Sequence, residues 1–255
     1  MIRQFLSTGI SAWVISKISN GQLPLSAFVL ACLLFPALSP GQDSSSPSPD
    51  AFLRDSKPAD INQSIYYKNR LDFSFETGCL PVNIPFPFDF LTSGEYNKTP
   101  LQYTLVPTIA SLWWQPFKVR GPGVFRGNWD FSVSGAFTAI PRGPETRAGY
   151  FILGIRRNFV RPSWRIAPYL EGRVGTGFIN AKEPDGAQFA QGQDFTFTVL
   201  LGSGVRYNLN PRYSILAGVG YMHISNLYLS EPRYPNYGIN VYGPTIGFST
   251  RIGKH

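Results

Sequence analysis

The sequence predicts an all-β fold, an eight-stranded antiparallel β-barrel that spans a membrane, and three observations support this fold class. Apolar residues alternate with polar or small residues in eight segments, which Gly, Pro, Asn and Asp residues separate. Several of these segments exceed 12 residues, whereas soluble strands have about 5–6 residues and a tilted membrane-crossing strand needs about 9–11. Charged residues make up only 15% of the chain, against about 25% in soluble domains.

The first 41 residues predict a secretory signal peptide. Positive charges at Arg3 and Lys17 accompany an apolar stretch over residues 23–38, and no acidic residue occurs in this part of the chain. Two prolines interrupt the stretch, which is shorter than the roughly 20 apolar residues of a membrane-spanning helix. We therefore expect cleavage after Ser39 or Gly41 and export to the bacterial envelope.

The exported chain keeps one cysteine, Cys79, so an internal disulfide or a cysteine metal site is excluded. No group of His and carboxylate residues has metal-ligand spacing, and we expect neither a metal nor an organic cofactor. Removing residues 1–41 lowers the net charge from +8 to +6. The basic residues are scattered and form no basic helix, which argues against nucleic acid and favours a phosphate-rich envelope lipid as the acidic partner.

Residues 42–65 are predicted to be a lead-in rich in Ser, Pro and Asp, and residues 66–255 a β-barrel domain. In the last segment, alternate residues from Tyr242 to Ile252 are mostly apolar, and those between them are Gly, Thr, Ser and Arg. This is the pattern of a barrel with lipid outside and small or polar side chains inside. A soluble lipocalin-like or sandwich fold is the alternative, and it would have shorter strands and more charged outer faces. The predicted strands are 66–78, 103–117, 127–140, 147–160, 164–179, 194–209, 212–226 and 240–252.

Three polar residues are predicted to meet on the outer face of the last two strands. His223 is the only histidine apart from the last residue, and it shares one apolar strand face with Ser225. Asn240 lies on the apolar face of the next strand, at the same end. Paired side chains on neighbouring strands have Cβ atoms about 4.5–5.5 Å apart, so hydrogen bonds are feasible. Polar groups facing lipid cost free energy unless they are paired, which leaves two explanations: a functional site, or an interfacial position wetted by headgroups.

The segment His223-Ile-Ser225-Asn226, followed by Pro235-Asn236-Tyr-Gly238-Ile239-Asn240, resembles the lipid A 3-O-deacylase family, the PagL-type acyloxyacyl hydrolases. The resemblance covers residues 221–247. It implies an eight-stranded barrel of the bacterial outer membrane that contacts lipopolysaccharide and removes an ester-linked acyl chain from lipid A. It also implies that Ser225 is the nucleophile and His223 its base. Asn226 lies where the family places an oxyanion contribution, which its backbone N–H would make. A strand-end turn residue is the alternative.

Asn240 departs from the family pattern, in which a glutamate orients the histidine. An amide oxygen can accept a hydrogen bond from the imidazole, but it cannot balance the charge of an imidazolium. Glu231, in the loop 227–239, is either a substitute carboxylate or an ordinary solvated loop charge.

Two other functions stay open at this point. A small non-catalytic barrel with a structural or adhesive role would need no catalytic group. An acyltransferase barrel would use similar groups, with an interior substrate pocket. The sequence is compatible with a monomer or a homodimer, and its C-terminal strand lacks the aromatic ending usual for such barrels.

Overall fold

The structure is a computed structural model that describes residues 61–83, 102–181, 191–230 and 238–253. The predicted signal peptide, most of the predicted lead-in and Glu231 lie outside the described residues.

Eight long antiparallel strands form a closed barrel, which confirms the predicted fold class. Each long strand pairs with the next, and the first pairs with both the second and the last long strand, so the sheet closes on itself. A two-residue strand lengthens this closure by pairing with the last strand. The predicted strands match the observed ones to within four residues at either end. In chain order the strands are β1 Arg70–Gly78, β2 Val82–Asn83, β3 Thr104–Gln115, β4 Gly127–Arg142, β5 Arg147–Phe159, β6 Ile166–Ile179, β7 Phe195–Asn208, β8 Tyr213–Ser225 and β9 Ile239–Ile252.

The two faces of the barrel wall have opposite character. On β1 the apolar residues Leu71, Phe73 and Phe75 are exposed, while the polar residues between them are buried in the lumen. A soluble protein would reverse this arrangement, since apolar side chains are stabilised away from water. Apolar side chains outside and polar ones inside are the signature of a barrel whose outer surface contacts lipid. Among the described helices, none has the length and hydropathy of a membrane span.

One half of the lumen is filled by ion pairs. Arg173 donates to Glu76 at 2.7 Å and to Glu171 at 3.1 Å. Arg156 donates to Glu171 at 2.7 Å and stacks on Trp113 with its guanidinium carbon 4.0 Å from the ring centroid. Each charge in this cluster therefore has an opposite charge in contact, as burial requires.

The other half of the lumen is filled by an apolar cluster. Its members come from most of the strands and from the β1–β3 connection, and the inward-facing Met222 and Ile224 of β8 are fully buried in it. The cluster comprises Leu80, Tyr103, Leu105, Ile140, Ala148, Tyr150, Ile152, Ile179, Met222, Ile224, Ile239 and Val241. It gives the inner side of the barrel wall at this end a tightly packed support.

The two ends of the barrel differ in their connections. At the end where the chain enters β1 and leaves β9, here called the terminal end, the strands are joined by residues 116–126, 160–165 and 209–212. At the opposite end, here called the loop end, the connections 180–194 and 226–238 are longer than any of these. Because bacterial barrels have short periplasmic turns and longer extracellular loops, the loop end is the extracellular end.

A short helix, α1 (Ile61–Ile65), closes the terminal end. Ile65 and Tyr66 are buried against Val160 and Ala167, and Arg70 donates to the carbonyl oxygen of Ile65. The lead-in prediction did not anticipate this helix. It forms because the end of the barrel buries its apolar residues, a contact that local composition does not reveal.

Candidate active site

The pairing of β8 with β9 sets His223 directly opposite Asn240 on the outer face at the loop end. Exposed residues on this face of β8 include Ile215 and Val219, and the alternation continues without a bulge to His223 and Ser225. By this alternation His223, Ser225 and Asn240 lie on the outer side of the wall, where Ser225 and Asn240 are themselves buried.

The side-chain amide of Asn240 is held by three hydrogen bonds. Its Oδ1 lies 2.7 Å from Nδ1 of His223 and also accepts from the hydroxyl of Tyr221 at 2.7 Å. Its Nδ2 donates to the carbonyl oxygen of Gly238 at 3.1 Å. An oxygen with two donors and a nitrogen with one acceptor fix the orientation of the amide. Because Oδ1 only accepts, Nδ1 of His223 carries the proton, and Nε2 is the ring nitrogen with the basic lone pair.

Ser225 lies two residues from His223 on the same strand face, which separates their Cα atoms by about 6.8 Å. An imidazole ring can bridge such a spacing to a hydroxyl group. The Oγ of Ser225 accepts a hydrogen bond from the backbone N–H of Leu227 at 3.1 Å, and the side chain is buried. The candidate nucleophile is therefore already next to a backbone donor.

Asn226 begins a tight turn that covers the site. Its side-chain Oδ1 accepts from the N–H of Tyr228 at 3.0 Å, and its Nδ2 donates to the hydroxyl of Ser230 at 2.7 Å. Leu227 and Tyr228 have φ values of 53° and 63°, a conformation that costs a non-glycine residue about 1–2 kcal/mol. The side chain of Asn226 is thus a turn-forming group. This favours the turn alternative for the side chain and leaves its backbone N–H as the candidate oxyanion donor.

The apolar surface beside the site is formed by β7. The pairing of β7 with β8 sets Phe197 opposite Ser225, Val199 opposite His223 and Leu201 opposite Tyr221. Phe197 also packs edge-on against Phe195, with ring centroids 5.2 Å apart. We call Phe195, Phe197, Val199 and Leu201 the apolar strip. It leads from the candidate nucleophile along the barrel wall toward the terminal end.

The sequence comparison decides the family. A model of the family described as lipid A 3-O-deacylase (PagL) matches residues 101–249, which is more than half of the chain. This chain belongs to the lipid A 3-O-deacylase (PagL) family. The resemblance predicted from the short segment 221–247 is therefore confirmed, and the protein is an outer-membrane β-barrel.

Three solved structures are similar to this chain. The crystal structure of the outer membrane enzyme PagL has 17% sequence identity, a TM-score of 0.44, and coverage of 70% of this chain and 98% of that one. Neisserial surface protein A (NspA) has 12% identity, a TM-score of 0.44, and coverage of 71% and 96%. OprG from Pseudomonas aeruginosa has 10% identity, a TM-score of 0.36, and coverage of 75% and 99%. No curated protein matches this chain.

Two residues of the candidate site were absent from the sequence prediction. Tyr221 donates to the same amide oxygen as His223, and the available signal was its place two residues before His223 on one strand face. Gly238 lies against the imidazole, since a Cβ at this position would be 2.9 Å from Cε1 of His223. Only glycine allows so close an approach of the backbone to the ring.

The described residues contain no candidate set of metal ligands. Within residues 61–83, 102–181, 191–230 and 238–253, no three His, Cys, Asp or Glu side chains are grouped so that they could hold a metal ion.

Proposed function

We propose that this protein is a serine esterase that removes an ester-linked acyl chain from lipid A, with Ser225 as nucleophile and His223 as general base. The observation that carries this proposal is the 2.7 Å contact between His223 and Asn240 on the outer wall of the barrel. It puts the basic lone pair of the imidazole on Nε2, and the strand face that holds His223 also holds Ser225. Membership in the lipid A 3-O-deacylase family supplies the substrate class.

The proposed reaction has two steps. Oγ of Ser225 attacks the ester carbonyl carbon while Nε2 of His223 accepts the hydroxyl proton. The tetrahedral intermediate collapses, the bond between the acyl carbon and the sugar oxygen breaks, and the imidazolium gives its proton to the departing sugar alkoxide. Water then attacks the acyl-enzyme with its proton passing to Nε2, and a free fatty acid leaves as Ser225 recovers its proton.

Backbone N–H groups are the proposed donors to the oxyanion. The N–H of Leu227 already lies 3.1 Å from Oγ of Ser225, and the N–H of Asn226 is the adjacent donor along the chain. Such donors stabilise the negative charge that forms on the carbonyl oxygen in the transition state. The turn held by the side chain of Asn226 fixes the direction of both groups.

Asn240 and Tyr221 act as positioning residues in this scheme. Asn240 orients the imidazole and selects the tautomer with the proton on Nδ1. Tyr221 donates to the same oxygen and so restricts rotation of the amide. Because an amide carries no charge, Asn240 stabilises the imidazolium less than a carboxylate would.

The apolar strip provides a surface for the acyl chain. Phe197 is paired with Ser225, so a chain whose ester lies at Ser225 can extend down the strip toward the middle of the bilayer. Burying a methylene group contributes about 0.8 kcal/mol. The inward-facing Met222 and Ile224 behind the site are buried in the apolar cluster, which favours the outer strip over an interior acyl pocket.

Mass spectrometry of lipid A tests this proposal. Lipid A is treated with detergent-solubilised wild-type protein, Ser225→Ala, or the control Ser203→Ala, whose serine is exposed on the outer face of β7 and pairs with Val219. The expected result is loss of one acyl chain with wild type and Ser203→Ala, and unchanged lipid A with Ser225→Ala.

Heat-modifiable migration on a gel verifies that each variant has folded as a barrel. Unchanged lipid A with wild-type protein would overturn the esterase proposal and favour a non-catalytic barrel. Deacylation by folded Ser225→Ala would show that the nucleophile is another residue.

A further inference from the structure

Basic side chains surround the terminal end of the barrel. Every turn at this end contributes at least one exposed basic residue, and so does the segment that enters β1. The exposed members are Lys68, Lys118, Arg120, Arg161, Arg165 and Arg212, and the half-buried members are Arg126 and Arg157. We call these eight residues the basic rim.

Acidic side chains do not offset the rim in the part of the chain that the structure describes. Asp72, Glu76, Asp130 and Glu171 point into the lumen, where arginine or asparagine side chains contact them. The exposed Asp194 lies at the opposite, loop end. The outer surface of the terminal end is therefore positive on every side that these residues cover.

Aromatic rings accompany the basic rim. The guanidinium carbon of Arg161 lies 4.8 Å from the ring centroid of Trp164, which is itself half exposed. Arg212 lies 5.5 Å from the ring of Tyr213. Such stacking supports one face of the guanidinium and leaves its N–H edges free to donate. Aromatic side chains also mark the interface between lipid tails and headgroups.

We propose that the basic rim binds the phosphate groups of anionic glycerophospholipids in the leaflet on the periplasmic side. Planar guanidinium groups match phosphate oxygens, and the accompanying aromatic rings place them at headgroup depth. The terminal end carries the short turns typical of the periplasmic side. This proposal is independent of catalysis at Ser225, because the rim and the candidate active site lie at opposite ends of the barrel.

The distribution of charge excludes the substrate as the main partner of the rim. At the loop end, the described residues include only two exposed basic side chains, Arg142 and Arg147. Most of the exposed positive charge on the described residues therefore lies at the terminal end. A partner for it must be supplied by the opposite leaflet.

Native mass spectrometry of the purified full-length barrel tests the proposal with two lipids of equal chain length, phosphatidylglycerol and phosphatidylcholine. The rim variant is Arg161→Gln with Arg212→Gln. The matched control, with the same loss of two charges at the loop end, is Arg142→Gln with Arg147→Gln. We expect the rim variant to bind phosphatidylglycerol on the order of tenfold more weakly than wild type, and the control to differ by less than about twofold.

Three results would overturn the proposal. Equal affinity of wild type for the two lipids would show that the rim does not select anionic headgroups. Equal weakening in both double variants would show a net-charge effect only. Inorganic phosphate binding as tightly as phosphatidylglycerol would show a general anion site. Because Arg161→Lys with Arg212→Lys keeps both charges, this variant should bind phosphatidylglycerol more tightly than the glutamine variant, which separates loss of charge from loss of fold.

Discussion

Replacing Asn240 tests the arrangement of the candidate site most directly. Asn240→Ala removes the oxygen that accepts from His223 and Tyr221 and the nitrogen that donates to Gly238. The site lies at the end of β8 and β9, so the rest of the strand pairing is unaffected. We expect a folded barrel whose base is no longer held in one orientation.

The expected fall in kcat follows from the hydrogen bond between Asn240 and His223. In the transition state this bond is made to a positively charged imidazolium, and such bonds contribute about 1.5–3 kcal/mol. Since 1.36 kcal/mol of barrier corresponds to tenfold in rate, kcat should fall by about 13- to 160-fold. The other two bonds act on kcat only by holding this amide, and their loss in Asn240→Ala lowers stability by about 0.5–1.5 kcal/mol each.

Asn240→Asp should behave differently from Asn240→Ala. One carboxylate oxygen can still accept from His223 and Tyr221, and its charge stabilises the imidazolium. The second oxygen would face the carbonyl oxygen of Gly238, where Nδ2 now donates at 3.1 Å. We therefore expect kcat at or above the wild-type value together with a less stable barrel.

The assay is the initial rate of fatty acid release from purified lipid A in detergent, with kcat and KM determined separately. Asn208→Ala is the matched control. Asn208 is also a buried asparagine with several side-chain hydrogen bonds, but it lies at the terminal end, where it contacts Tyr66 and Ser214. It should lower stability and leave kcat near wild type. If folded Asn240→Ala kept more than a third of the wild-type kcat, the proposed orienting role would be wrong.

Three further predictions concern other residues. Gly238→Ala should lower kcat at least about tenfold without unfolding the barrel, because the added Cβ lies 2.9 Å from Cε1 of His223 and displaces the ring; fatty acid release measures this. Tyr221→Phe removes one donor to the amide that orients the imidazole, so kcat should fall by about two- to tenfold with KM unchanged. Arg173→Met removes a buried partner of Glu76 and should lower the free energy of unfolding by about 3–5 kcal/mol in urea titrations.

Controls for these variants are available in the same chain. Gly135→Ala adds a Cβ that has open space around it, so a comparable loss of activity there would refute the steric argument for Gly238. A parallel rise in KM would count against a positioning role for Tyr221. Unchanged urea midpoints would contradict the assignment of a structural ion pair to Arg173.

The strands were predictable because side chains of a barrel strand alternate between the lipid and the lumen, and this two-residue period is visible in the sequence. The same parity placed His223, Ser225 and Asn240 on the outer face, and it held because the paired segments of β8 and β9 contain no bulge. The short strand β2 was missed, since two residues are too few to show alternation.

Contacts between distant segments could not be predicted from the sequence. The helix α1 depends on burial of Ile65 in the end of the barrel, which its own composition does not show. The bond from Tyr221 to Asn240 depends on the pairing register. In the turn, the side chain of Asn226 donates to Ser230. Asparagine can form several local hydrogen-bond patterns, so the sequence alone does not select this one.

The filled lumen has a consequence for the permeability of the membrane. Ion pairs around Glu76 and Arg173 occupy one half of the interior, and the apolar cluster around Met222 occupies the other. With both clusters in the lumen, we expect the barrel to show no steady ionic current in a planar bilayer. A bacterium can therefore carry many copies of this protein in its outer membrane without making that membrane leak.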